Sequence, residues 1–299
     1  MRPAYTIMFF VSLGLMITAV VFLATWGLRF GVDFRGGSEL ELTFSQRPAV
    51  TDLTMVLTKL SLPELKDVTV SPTGNTGVVI RSDTLTEDQH QTVLQAIKKA
   101  FPGVQMTEAR FDSIGPVIGS ELKSKAVSAI VAVIIAIALY IAIVFRGMRR
   151  TLSWWVMSFA TMVALAHDVL LPLGVFALLG HIGGVEISAV FVAAILTIMG
   201  YSISDTVVVF DRVRENIVKG RLGRDVSFAE AVHRSIMQTV VRSINTNISV
   251  LLSLIAIFLF GGASIKYFAL ALIVGIFSGA YSSIFVASPL LVWMGRRRG

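Results

Sequence analysis

Six stretches of this chain are each long enough and apolar enough to cross a bilayer, and that leaves few folds open. They cover residues 5–26, 126–145, 153–179, 187–210, 240–260 and 267–294. A spanning helix needs about 20 apolar residues, because in hydrocarbon every backbone N–H and C=O must be satisfied within the segment. The expected class is a multi-pass α-helical membrane protein with six transmembrane helices. The composition agrees, with 15% charged residues where a soluble domain carries about 25%. The apolar core of the first stretch exceeds the roughly 7–15 residues of a cleaved leader, so it reads as a retained anchor.

Basic residues orient the set. Arg2 precedes the first stretch, Arg146, Arg149 and Arg150 join the second to the third, and Arg296, Arg297 and Arg298 follow the sixth. The connection between the fourth and fifth holds Arg212, Arg214, Lys219, Arg221, Arg224 and Arg234. On the other side, LGHIGGVEI and GGASIK contain only Lys266. By the positive-inside rule both termini are cytoplasmic. The net charge of +7 is therefore a topology signal. Its basic residues are not interleaved with aromatics, and no nucleic-acid partner is expected.

Residues 28–125 then form one extracytoplasmic segment between the first and second helices. Alternation in SELELTF predicts a strand with Leu40, Leu42 and Phe44 on one face. VTDLTMVLTKL predicts a helix, and DVTVS and GVVIRS predict strands on either side of the turn PTGNT. TEDQHQTVLQAIKKAF opens with a capping box at Thr86 and Gln89, and VQMTEARFD supplies a last strand. The order strand–helix–strand–strand–helix–strand is the split βαβ, ferredoxin-like pattern. Residues 126–294 make a five-helix region with a basic cytoplasmic linker at 211–239, and 295–299 a basic tail.

The chemistry sits among the helices. GYSISDTVVVFD places Asp205 inside the fourth stretch, about 7–8 Å from its cytoplasmic end at helical rise. A charge there is costly, and such residues face a bundle interior and a partner. Arg242 lies at similar depth in the fifth stretch. It belongs to a polar stripe of Gln238, Arg242, Asn245, Ser249 and Ser253, and Thr197, Tyr201, Ser204 and Asp205 form a second one. Two readings stand: a static ion pair that fixes helix register, or a proton site. An arginine stays charged, whereas a carboxyl gains or loses its proton as its surroundings change. His167 and Asp168 stand near the middle of the third stretch, about 100° apart on the helix. They read either as a relay or as interhelical hydrogen-bonding groups.

Several chemistries are excluded. With no cysteine there is no disulfide, thiolate or iron–sulfur site. HExxH, GxSxG and GxxxxGK[ST] are all missing from the sequence, which argues against an enzyme, and no metal or other cofactor is expected. Gly275, Gly279 and Ser283, spaced by four, would let a helix approach closely. Val226, Phe228, Ala231 and Val232, behind a capping box at Ser227 and Glu230, suggest either an amphipathic helix on the inner leaflet or a plain solvated connector.

GVDFRGGSELEL, HDVLLPLGVFAL, AAILTIMGYSISDTVVVFDRVREN, TVVRSINTN and LFGGASIKYFA together resemble the SecD/SecF family of RND-type protein-export membrane proteins, on its SecF side. The likeness runs over nearly the whole chain in the family's order. It implies a subunit of the bacterial plasma membrane that pairs with SecD and assists the SecYEG channel, with YajC and YidC as further partners. In that picture the proton gradient is used to draw an unfolded exported polypeptide outward. The family's intramembrane aspartate and arginine fall on Asp205 and Arg242. Its first motif falls on Gly31, Asp33, Phe34, Gly36 and Gly37, a junction suited to passing helix movement to the external domain. One departure is Ser204, where the family usually has Asn before the aspartate. The rival readings are half of a small-molecule exporter and a structural tether between SecD and the channel.

Overall fold

The computed structural model describes residues 2–146, 154–218 and 226–295. The chain divides into two compact units, residues 30–127 and the remainder. Arg149, Arg150, Lys219, Arg221, Arg224, Arg296, Arg297 and Arg298, all used above to orient the helices, lie outside the described residues.

In the smaller unit a short helix, α2 (Val32–Arg35), leads into β1 (Gly37–Phe44). Then follow α3 (Val50–Thr58), β2 (Thr69–Thr73), β3 (Gly77–Ser82), α4 (Glu87–Ala100) and β4 (Met106–Ile114). The strands form one antiparallel sheet in the order β2-β3-β1-β4. Period-two alternation sends Leu40, Leu42 and Phe44 into a core with Leu53 and Leu57 of α3 and Val93, Leu94 and Ile97 of α4. The other face is charged, and Glu39 and Arg81 pair across the strands at 2.8 Å. Thr86 caps α4 with Gln89 as its reciprocal partner. Gln91 Nε2 donates to Glu87 Oε1 at 2.7 Å, which holds that carboxyl below the usual carboxylate range. One boundary differs from expectation. β2 runs on through Pro72, which an edge strand tolerates because its outward N–H has no ladder partner to lose. The turn is correspondingly tighter, with Gly74 at φ +55°.

Gly36 and Gly37 carry φ values of +80° and +117°, a region that L side chains avoid. A Cβ on Gly36 would meet Pro116 Cα at 2.8 Å, and one on Gly37 would meet Ser82 O at 2.7 Å. A Cβ on Gly119 would in turn meet Gly36 N at 2.9 Å. The double glycine is therefore a close backbone crossing as well as a turn. Gly37→Ala is expected to weaken the β1–β3 pairing by about 1–3 kcal/mol. Amide exchange across β1 and β3 of the full chain should rise, and an unchanged pattern would refute the close packing.

The larger unit holds α1 (Pro3–Thr25), α6 (Trp154–Gly183), α7 (Ala189–Val218), α8 (Phe228–Phe260) and α9 (Ala263–Ser282). α9 passes through one π-helical turn, Ser283–Ala287, into α10 (Ser288–Gly295). α5 (Pro116–Val144) runs from the smaller unit into this one. Six helices among the described residues are long and apolar enough to cross a membrane, with α9 and α10 counting as one. α6, α7 and the α9–α10 helix form the interior. α1 lies against α6 where Gly174 meets Ala19 backbone to backbone. On α9, Gly275 and Gly279 lie against Ile198 and Ser202 of α7, the close approach that their spacing predicts. In this unit Ile137, Ile141 and Phe145 are the buried apolar side chains that follow from α5, and the Phe145 and Phe210 rings lie 6.2 Å apart.

The expected surface helix in the basic linker is not a separate element. Residues 211–218 continue α7, and α8 starts at Phe228 behind the Ser227 cap. Ala231 and Val232 are buried, and the neighbouring His233 meets Tyr5 of α1 at 2.8 Å. Asn216 ties α7 and α8 together, donating to Ser235 Oγ at 2.8 Å and Gln238 Oε1 at 3.0 Å. The amphipathic pattern was real, but its apolar side packs on protein.

Candidate functional site

Two carboxylates sit among the helices of the larger unit. Asp168 of α6 is completely buried. Its Oδ1 lies 2.8 Å from His167 Nδ1, and its Oδ2 accepts from Ser202 of α7 and from Ser282 of α9, the latter at 2.7 Å. One acid thus holds three helices together. Although neighbours on a helix point about 100° apart, these two side chains meet each other, and of the pair it is Asp168 that bonds to the other helices. His167 also faces the Tyr281 ring at 6.2 Å, and the Tyr281 hydroxyl donates to Met8 O of α1 at 2.8 Å. His167 Nε2 is buried without a protein partner.

Asp205 stands three residues beyond Ser202, so the two carboxylates address neighbouring positions on α7. It is half-buried, and its Oδ2 accepts from Asn247 Nδ2 of α8 at 2.8 Å. The same amide nitrogen donates to Ser243 O at 2.7 Å. Around this contact Tyr201 Oη, Thr206 Oγ1, Ser243 Oγ and Asn247 Oδ1 are buried with no protein partner. Buried polar groups are normally paired, so these four, on α7 and α8 close in sequence to Asp205 and Asn247, are exceptions.

Arg242 is not the standing partner of Asp205. No ion pair joins them, and Arg242 lies exposed on α8 with Asn245 and Ser249. On α7, Thr197 and Ser204 are likewise exposed. In the polar stripe legible on α8, Asn245, Ser249 and Ser253 are exposed in this chain while Gln238 reaches Asn216 of α7, and a different stripe is buried: Ser235, Thr239, Ser243 and Asn247. Those four residues are also spaced by four, so the same periodicity argument could have found them. Arginine in the first stripe drew attention away. Ser202 and Ser282 gave no comparable signal. Gly31, Asp33, Phe34, Gly36 and Gly37 belong to the smaller unit.

A profile described as "Protein export membrane protein SecD/SecF, C-terminal" matches residues 92–297, and one for the "SecD/SecF GG Motif" matches residues 21–46. The chain is 38% identical over 293 residues to the protein translocase subunit SecF of Thermobaculum terrenum, covering 95% of this chain and 90% of that one. The chain belongs to the SecF family of protein translocase subunits. The SecF of Synechocystis is 35% identical over 99% of this chain and 93% of its own. Among solved structures, a crystal structure of SecDF from Thermus thermophilus, a translocon-associated membrane protein, superposes with a TM-score of 0.82 at 33% identity. That match covers 98% of this SecF-family chain but only 38% of the SecDF chain. SecDF in a super-membrane-facing form matches with a TM-score of 0.66.

Within the SecF family frame, the GG motif is the pair of left-handed glycines at Gly36 and Gly37. Both carboxylate clusters fall inside the region matched by the C-terminal profile.

Proposed function

We propose that this chain is the SecF half of a SecD–SecF complex, a non-enzymatic subunit that couples proton movement to protein export across the bacterial plasma membrane. Both termini are cytoplasmic in this reading. The smaller unit is a periplasmic ferredoxin-like domain, supported by its strand–helix–strand–strand–helix–strand order and by the sheet order β2-β3-β1-β4. SecYEG, YajC and YidC are the neighbouring machinery, and the unfolded exported chain is the substrate.

The observation that carries the reading is the Asp205–Asn247 contact between α7 and α8, with Arg242 standing apart. An ionised Asp205 accepts from the Asn247 amide. A protonated one presents a hydroxyl in the same place, and the Asn247 amide oxygen, buried without a partner, offers it a new acceptor. Gaining or losing one proton therefore changes which hydrogen bonds join α7 to α8. A charge change at a packed helix contact shifts the populations of two packings, which is what coupling requires. SecD is the natural cover for the exposed Arg242, Asn245 and Ser249, since polar side chains in a membrane face protein or water rather than lipid.

The test is proton conductance of SecD–SecF vesicles with unfolded polypeptide present. Asp205→Asn keeps a side chain able to hydrogen-bond but removes the exchangeable proton, and is expected to insert normally and abolish the current. A current equal to wild type would return Asp205 to the role of a buried structural charge. Arg242→Met separates this from the tether reading: gradient-dependent export is expected to fail while the complex still assembles. Normal export by that variant would favour the tether.

A further inference from the structure

The face of α1 that packs on protein carries a polar residue at its centre. α1 buries Tyr5, Ser12 and Ala19, spaced by seven residues or about two helical turns. Two contacts fix its register on α6. Gly174 meets Ala19 backbone to backbone, and seven residues further along both helices the Trp26 and His181 rings stack at 4.5 Å. The two helices therefore run parallel and in step. The same step of seven residues in the other direction pairs Ser12 with His167. Tyr281 of α9 closes that level from the side. Its ring faces His167, and its hydroxyl donates to Met8 O of α1, one turn before Ser12.

Ser12 and His167 are 1% and 0% exposed, and Ser12 Oγ and His167 Nε2 are both without a protein partner. A hydroxyl inside a helix often turns back to the carbonyl four residues earlier, as Thr18 and Thr25 of α1 do to Gly14 O and Val21 O. For Ser12 that carbonyl is Met8 O, to which Tyr281 already donates. On α6, His167 Nδ1 is engaged by Asp168. With the ring proton on Nδ1, Nε2 is an acceptor. One orphan thus has an O–H to give and the other a lone pair to fill, at one level of a helix pair, and they do not reach each other.

We propose that one ordered water is bound between α1 and α6, accepting from Ser12 Oγ and donating to His167 Nε2, with its second hydrogen on the remaining lone pair of Met8 O. A buried water makes about three hydrogen bonds, chiefly to groups that otherwise lack partners, and this set supplies them. Room comes from small side chains: Ser12 itself, and Ala160 and Ala164, both completely buried in the turns of α6 just before His167. The water extends the Asp168 cluster by one helix. Asp168 reaches α7 through Ser202 and α9 through Ser282, and through His167 and the water it reaches α1 as well. The site is structural, and it stands whether or not Asp205 carries a proton.

The test is a density map of the SecD–SecF complex in which ordered waters are resolved, together with thermal unfolding of variants. One isolated peak is expected within hydrogen-bond distance, about 2.5–3.2 Å, of Ser12 Oγ, His167 Nε2 and Met8 O. A direct bond between Ser12 and His167, or no peak between them, would overturn the site. Ser12→Ala removes the donor without crowding the contact. It is expected to lower the unfolding temperature of the complex by about 2–4 °C, the effect of losing one hydrogen bond. His167→Asn keeps an amide that can donate to Asp168 in place of Nδ1 but has no atom in the place of Nε2. In that background Ser12→Ala is expected to shift the unfolding temperature much less, because the link it would break is already gone. Equal shifts in the two backgrounds would show that nothing joins the residues, and would overturn the proposal as well.

Discussion

An Asp168→Ala chain is expected to lose about 3–5 kcal/mol of stability, the range for removing one partner of a buried charged cluster. The alanine leaves His167 and Ser202 buried without that acceptor and Ser282 with only Gly279 O, at 3.2 Å. Three helices lose their common acceptor in one step. The measurement is thermal unfolding of the detergent-solubilised complex, followed by protection of α6, α7 and α9 from proteolysis. Asp168→Asn separates stability from proton chemistry, because its amide oxygen still accepts from the serines. That variant is expected to recover more than half of the lost stability. If Asp168→Ala unfolds like wild type, the cluster is not what holds these helices.

The second large effect concerns shape rather than charge. A Cβ on Gly174 would come within 2.7 Å of Ala19 Cα, a backbone atom with nowhere to go. Gly174→Val is therefore expected to push α1 off α6 and cost about 1–3 kcal/mol, the usual penalty of overpacking. Ala19→Gly removes the Cβ on the opposite side and should restore part of the loss in the double variant. The two sites are in contact, so their effects should not add. Strict additivity in unfolding temperature would show that the crossing is looser than described.

Much of the fold could be read from the sequence because bilayer thickness and backbone satisfaction leave a long apolar run little choice. The smaller unit was equally legible where Leu40, Leu42 and Phe44 alternate and where Thr86 and Gln89 cap a helix. Reading failed where a pattern fixes a face but not its neighbour. Ala231 and Val232 form an apolar side whether lipid or protein covers it, and only the packing of the other helices around α8 decides. The same limit applies at Asp205. Depth and spacing bring both Arg242 and Asn247 near its level, yet they lie on different sides of α8, and helix rotation is set by packing. Ser202 and Ser282 were out of reach for a further reason: a serine becomes a site only through the acid it meets on another helix.

The continuity of α7 and α8 gives the Asp205 contact a mechanical meaning. At 1.5 Å per residue, the 30 residues of α7 and 33 of α8 reach about 45 and 50 Å, well beyond a hydrocarbon core of about 30 Å. Asn216, Ser235 and Gln238 clamp the joined ends of the two helices together. Asp205 is then a fulcrum, with about 20 Å of helix between it and Val218. A tilt of about 10° at that point would carry the Val218 end sideways by about 3–4 Å, more than the rise of two helical residues. In the proton-coupled reading proposed above, a single proton at the pivot would gain leverage on whatever rests against the far end.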